Sequence, residues 1–275
     1  MPADAAGAAT PAPPLSPTVV VHRDAPLLSR AIAARLVASL SDAQAERGEA
    51  SLVLTGGGIG TASLAALRDT PARDVIDWSA LDVYWGDERF VPADSPDRNE
   101  GQARAALLDH VPLPPERVFA MAAEAAGLDA ATAADDYAKV LAGRAAPGAA
   151  VPEFDVLLLG IGPDGHIASI FPGSPTVDAP GIVLPVFGSP KPPPTRITLT
   201  YTAIRAAREV WVIAAGEEKA DAVSRALSGE PPSAIPAAGA IGTRRTLWLL
   251  DRAAASRLPE HQRPARVPPG GAAPA

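Results

Sequence analysis

Phe154-Asp-Val-Leu-Leu-Leu-Gly-Ile-Gly-Pro-Asp-Gly-His-Ile-Ala-Ser-Ile-Phe-Pro-Gly173 is the stretch whose reading decides the fold. Phe154 to Leu159 is predicted as a buried strand. The glycine-rich turn that follows presents Asp164 and His166, and a short helical segment is expected after it. A strand ending in a turn that carries an acid and an imidazole is how an open α/β sheet offers reactive groups at its carboxyl edge. Histidine is also the side chain whose unperturbed pKa best suits proton transfer near neutrality. Of the four histidines, His22 follows a first strand, His110 ends a predicted helix and His261 lies in a proline-rich tail, so only His166 has a site around it.

Outward from this stretch, strands and helices alternate. Thr18–His22 is a β-branched strand, and Asp24 can cap a helix in which Leu27, Leu28, Ile32, Leu36, Val37 and Leu40 recur near the helical period. Ser51–Thr55 and Leu81–Trp85 are predicted strands. Asn99–Asp109 and Asp129–Gly143 are helical by pattern, and 145–152 is a Pro/Gly/Ala joint. Beyond the Phe154 strand come an extended Gly181–Gly188 stretch, strands at Arg196–Thr200 and Glu209–Ala214, a helix starting near Gly216, and a last strand at Leu247–Leu250. Such alternation predicts an α/β fold, a doubly wound, mostly parallel Rossmann-like sheet with helices on both faces. A single domain is expected over 17–258, flanked by Ala/Pro- and Pro/Gly/Ala-rich tails at 1–16 and 259–275 that are too poor in apolar side chains to order.

The 275 residues are 47% hydrophobic, enough for a sizeable core. A formal net charge of −7, from 31 acidic and 24 basic residues, argues against nucleic acid as a partner. It leaves room for a small anion held by a few focused cations. The absence of cysteine excludes disulfides, thiolate metal sites and a cysteine nucleophile. No secretory signal opens the chain, and no apolar run reaches the roughly 18 residues needed to span a bilayer. The expectation is a soluble cytoplasmic protein with no membrane partner, acting as a monomer.

Further segments carry chemistry at predicted strand ends. Thr55-Gly-Gly-Gly-Ile-Gly-Thr61 opens a helix, where glycines let backbone N–H groups converge on an anion. It is neither a P-loop, since no Gly-Lys-Ser/Thr follows, nor a dinucleotide fingerprint, since the third glycine would be Thr61. Trp85-Gly-Asp-Glu-Arg89 puts charges beyond the third strand. Alternation sends Asp87 and Arg89 to one side and Glu88 to the other. Asn99 is expected to cap the next helix. Ser189-Pro-Lys-Pro-Pro-Pro-Thr-Arg196 ends in Arg196 at a strand start, and Lys219 falls in a helix's first turn, where the macrodipole opposes it unless an anion binds there too. Each segment alone reads equally well as an ordinary turn or a solvated charge. Together they describe one sheet edge suited to a small phosphorylated substrate and one proton-transfer group.

This set of motifs, with Phe171-Pro172, resembles in order, over about residues 18–255, the 6-phosphogluconolactonase family of the glucosamine/galactosamine-6-phosphate isomerase superfamily. The resemblance implies hydrolysis of 6-phospho-D-glucono-1,5-lactone without a cofactor. It makes His166 the base, with Asp87 and Arg89 as the family's acid and arginine, and the Gly57–Gly58 loop, Arg196 and Lys219 as phosphate contacts. Thr61, Asn99, Asp164 and Lys191 complete the expected substrate-binding set. On chemical grounds His166 takes the water proton and returns it to the ring oxygen, and Arg89 steadies the oxyanion or holds substrate hydroxyls. Asp87 then orients His166 or a hydroxyl, Arg196 clamps phosphate bidentately and Lys219 adds a point charge. No GxSxG nucleophile elbow exists, and one site histidine without cysteine leaves no built-in metal site. The chain departs from many relatives at Gly58-Ile-Gly-Thr-Ala62, which leaves open whether Thr61 or Ser63 meets the phosphate. Two other readings compete. Glucosamine-6-phosphate deaminases carry Asn-Glu-Pro where this chain has Ile170-Phe171-Pro172, and a non-enzymatic sugar-phosphate-binding regulator would need a DNA-binding segment that neither length nor charge accommodates.

Overall fold

The computed structural model describes residues 16–259. The expected tails, apart from their innermost residues, lie outside the described residues, as does His261. The strands are β1 (Thr18–His22), β2 (Ala50–Leu54), β3 (Leu81–Trp85), β4 (Asp87–Arg89), β5 (Val156–Gly160), β6 (Val183–Val186), β7 (Arg196–Leu199), β8 (Glu209–Ala214) and β9 (Arg245–Asp251). The helices are α1 (Ala25–Arg47), α2 (Gly58–Asp69), α3 (Asn99–Ala106), α4 (Ala130–Arg144), α5 (Tyr201–Ile204) and α6 (Ala220–Leu227). Capping explains the longest helix. Asp24 accepts from Leu27 N at 2.9 Å, and Gly48, at φ 81°, closes the other end.

Six strands form a parallel sheet in the order β1-β9-β8-β5-β2-β3. Both faces are covered, and strand alternation sorts the side chains between them. Leu52, Leu54, Val83, Trp85, Leu158 and Ile213 face a layer built from α1, α2 and α3. Val53, Tyr84, Leu157, Leu159 and Val212 face a layer that includes α4 and α6. From β2 the chain winds outward to β3; from β5 it winds the opposite way to β8 and β9. The winding therefore reverses between β2 and β5, and the carboxyl ends of neighbouring strands open there into a crevice where doubly wound sheets bind ligands.

The sequence pattern did not predict a second sheet. β4, β7 and β6 pair antiparallel in a separate three-stranded sheet, so the Arg196 strand does not belong to the main sheet as expected. Gly86 joins the two: its N–H donates to Leu54 O at 3.0 Å and its carbonyl accepts from Leu199 N at 2.9 Å. The small sheet thus hangs on the carboxyl edge of β2 and β3 and brings Arg196 back to the crevice. No described helix is long and apolar enough to cross a membrane.

Candidate active site

On the β2 side of the crevice, Thr55–Gly58 leads into α2, whose first turn no side chain caps. Gly57 takes φ 85° and is exposed together with Gly58. A Cβ at either position would meet nothing within 4 Å, so the space before the helix N-terminus is open. Gly56 is different: a Cβ there would lie 2.0 Å from Asn99 Oδ1. The two hydroxyls left open by the sequence are separated by geometry. Ser63 is wholly buried and donates to Ile59 O at 2.7 Å, whereas Thr61 is partly exposed in the first turn. Open amides beside a free hydroxyl make an anion cradle.

On the β5 side, the turn closes through Gly162 N to His166 O and Gly165 N to Gly162 O, each 2.9 Å. Thr55 Oγ1 accepts from Gly160 N at 3.1 Å and ties this turn to the β2 loop. Asp164 Oδ1 lies 2.5 Å from His166 Nδ1. A carboxylate there fixes the ring proton on Nδ1 and leaves Nε2 as the acceptor. Lys191 Nζ stands 3.3 Å from both Asp164 Oδ1 and His166 Nδ1, and the Phe171 ring packs against the imidazole with centroids 4.6 Å apart. Burial raises the Asp164 carboxyl, but the His166 hydrogen bond and charge, with the Lys191 ammonium, outweigh it and hold it well below the usual range. The residue orienting His166 is therefore Asp164, not Asp87. The helical segment expected after His166 is also absent. Ile167 instead bridges Ile161 and Ile170 in a compact turn, and Pro172 and Gly173 stop any helix from growing.

The Trp85–Arg89 charges form β4 itself. Glu88 is fully buried: Oε1 accepts from Asn99 N at 2.7 Å and Arg89 N at 2.8 Å, and Oε2 from Glu100 N at 2.8 Å. It thus caps α3, a role expected of Asn99. Asn99 is instead the first helical residue, and its Nδ2 donates to Asp87 O at 2.9 Å. Burial pushes the Glu88 carboxyl up, against the pull of those backbone N–H groups. Arg89 is half-buried, with Nη1 on Asp97 O at 2.6 Å. Asp87 is buried and accepts from Ser169 Oγ at 2.7 Å.

Arg196, 4% exposed, spends its fork inside the protein, with Nε on Pro193 O at 3.1 Å and Nη2 on Lys191 O at 3.0 Å and Pro192 O at 3.1 Å. Those bonds commit Nε and Nη2, donors on which the expected bidentate phosphate clamp would draw. At the end of β8, Gly216 at φ 99° donates to both oxygens of Asp251 at 3.2 Å and sets the turn that delivers Lys219 just before α6. Burial lowers the Lys219 pKa, and the neighbouring Lys191 adds to the shift, against Glu218 and Asp164.

His166, Asp164 and Lys191 thus touch, Lys219 shares their field, and Asp87, Asn99, Arg89 and Arg196 form an adjoining cluster that meets the glycine loop through Asn99. Sequence reasoning missed Ser169 and Asp251. Ser169 was visible only as a small polar residue between Ile167 and Ile170, and Asp251 as an acid ending an apolar strand. A cavity of about 450 Å³ at the amino ends of β2, β3 and β5 is a different matter. Its buried acids Asp82 and Asp155 are held by Arg117 and Arg144, and by Arg47, respectively. It lies at the edge opposite the His166 loop.

Comparison with known proteins gives the family. Residues 23–248 match the family described as glucosamine-6-phosphate isomerases/6-phosphogluconolactonase. The chain is 60% identical to a 6-phosphogluconolactonase of Streptomyces coelicolor over 89% of this chain and 95% of that protein. It is 50% identical to the 6-phosphogluconolactonase of Mycobacterium tuberculosis over 89% and 100% of the two chains. The solved 6-phosphogluconolactonase of Trypanosoma brucei superposes with a TM-score of 0.77 at 36% identity, covering 88% of this chain and 99% of that one. A monomeric glucosamine-6-phosphate deaminase shares the fold at a TM-score of 0.72 and 21% identity, covering 87% and 99%. The chain belongs to the glucosamine-6-phosphate isomerase/6-phosphogluconolactonase family.

Proposed function

We propose that the chain is a 6-phosphogluconolactonase, a carboxylic ester hydrolase that converts 6-phospho-D-glucono-1,5-lactone to 6-phospho-D-gluconate in the second step of the oxidative pentose phosphate pathway. The observation that carries this reading is the His166–Asp164 pair at the winding reversal, with Nδ1 occupied at 2.5 Å and Nε2 left as an acceptor. A δ-lactone is an activated ester, so hydrolysis asks for a base, a cradle for the oxyanion and a handle for orientation. Nε2 takes a proton from water as its oxygen bonds to C1. The carbonyl becomes a tetrahedral oxyanion. When that collapses, the C1–ring oxygen bond breaks and the imidazolium returns the proton to the departing oxygen. Asp164 keeps the tautomer and steadies the transient cation. Arg89 supports the oxyanion or the substrate hydroxyls. The phosphate sits at the open N-terminus of α2, against Gly57, Gly58 and Thr61, with Lys219 adding charge. No cofactor enters this chemistry.

The test is consumption of freshly prepared lactone with and without protein, because the compound also hydrolyses spontaneously. Acceleration by the wild type, reduced on the order of 10²–10⁴-fold in kcat by His166→Ala, is expected. No acceleration would refute the activity. Near-normal turnover by a folded His166→Ala protein would refute the imidazole as base.

A further inference from the structure

We infer that Ser169, Asp87 and Arg196 are positioning residues, a buried relay that holds the Lys191–Pro193 arch over His166 and so sets where the Lys191 ammonium lies; this rests on the lactonase reading above. The arch has few bonds of its own. Pro192, Pro193 and Pro194 have no N–H, and the local bonds are Ser189 Oγ to Lys191 O at 3.0 Å, Lys191 N to Ser189 Oγ at 3.3 Å and Ser189 N to Pro194 O at 2.9 Å. The Pro192 and Pro193 carbonyls have no local donor, and the Arg196 guanidinium supplies both at 3.1 Å and adds a second bond to Lys191 O at 3.0 Å. A planar fork fits that task and a lysine would not.

Arg196 is itself held. It leaves the start of β7 directly opposite Arg89, and its Nη1 lies 3.9 Å from Asp87 Oδ2. Asp87 is aimed by the fully buried Ser169 hydroxyl at 2.7 Å, and Ser169 N donates to Thr198 Oγ1 at 3.1 Å. Phe171 fills the gap between the two clusters, with its ring 4.6 Å from the imidazole and 5.9 Å below the Arg196 guanidinium. The relay ends in Lys191 Nζ, 3.3 Å from Asp164 and His166. Asp87 and Arg196 thus act on the reaction through Lys191.

A double-mutant cycle on the full chain tests this. Ser169→Ala removes a single buried hydrogen bond and Asp87→Asn keeps an acceptor for Ser169 while removing the charge opposite Arg196, so one remains usable if the other fails to fold. Each is measured alone and combined with Lys191→Met, on 6-phosphogluconolactone and on unphosphorylated gluconolactone. Each single variant is expected to lower kcat by about tenfold, the worth of one buried hydrogen bond. The loss should be equal on both substrates and vanish in the Lys191→Met background. Arg196→Lys should behave as the relay variants do. Additive losses with Lys191→Met would overturn the relay, and so would an Arg196→Lys loss confined to the phosphorylated substrate, which would make Arg196 a phosphate ligand. Wild-type turnover in the same assay separates these outcomes from failure of the lactonase reading itself.

Discussion

Gly162→Ala isolates the geometry of the base from the stability of the fold. A Cβ at this position would lie 2.0 Å from His166 Nδ1, 2.1 Å from Cε1 and 2.4 Å from Asp164 Oδ1. To reach an ordinary contact of about 3.5 Å, the ring must retreat by about 1.5 Å. It has little freedom to do so, because Asp164, Lys191 and Phe171 enclose it. Gly162 is not among the residues with positive φ, so alanine adopts its backbone conformation without strain. The expected outcome is a protein that melts within a few degrees of wild type but loses about 10²-fold or more in kcat, the usual cost of displacing a reacting group by an ångström. Gly165→Ala is the informative contrast. That residue has φ 85°, and its Cβ would lie 2.2 Å from Ile235 Cδ1 in the core, so stability should fall by about 2–5 kcal/mol from backbone strain and overpacking together. The assay is initial-rate acid release from fresh lactone in weak buffer, paired with thermal melts. A folded Gly162→Ala enzyme with near-wild-type kcat would show that the working imidazole does not occupy the observed position.

Lys219→Ala should raise KM for the phosphorylated lactone by about 10–100-fold, the worth of one charge-assisted contact, and leave unphosphorylated gluconolactone nearly unaffected in parallel assays. Exhaustive dialysis against EDTA should leave the rate unchanged, and activity lost and restored by Zn²⁺ or Mg²⁺ would refute a metal-free mechanism. Asp164 has a folded-state pKa below its unfolded value, so its stabilising contribution is present above about pH 4 and is lost as pH falls through the folded value. Asp164→Asn should therefore melt below wild type at pH 7, with the gap starting to narrow only below about pH 4 and closing as the pH falls through the depressed folded value; a gap that does not narrow below about pH 4 would refute the pairing.

The parallel sheet could be read from the sequence because strands buried on both faces appear as unbroken apolar runs, as in Val156–Leu159 and Val210–Ala214. His166 could be read because its turn follows such a run directly. The second sheet left no such trace: β4 is the polar triplet Asp87-Glu88-Arg89, its partner β7 lies far from it along the chain, and β6 contains Pro185. Alternation tells which way Asp87 points but not what it meets, so the sequence leaves Asp87 to orient either His166 or a substrate hydroxyl, while Asp164, two residues from His166, is the acid that bonds the imidazole. Ile167 and Ile170 carry helical spacing, yet burial of both in a turn overrode it. Glu88 shows the limit most clearly. As sequence it is one more charge in a solvated loop; in the fold it is a fully buried carboxylate that accepts three backbone N–H bonds and anchors α3, and with it Asn99, against β4. Glu88→Gln keeps the shape but offers one acceptor oxygen and turns an amide N–H₂ toward backbone donors. That leaves at least one buried N–H unsatisfied, a cost of about 1–3 kcal/mol. At roughly 2–4 °C per kcal/mol for a domain of this size, the melt should drop by about 2–12 °C. An unchanged melting temperature would mean that Glu88 does not hold α3 in solution, and that the placement of Asn99 beside the glycine loop needs another explanation.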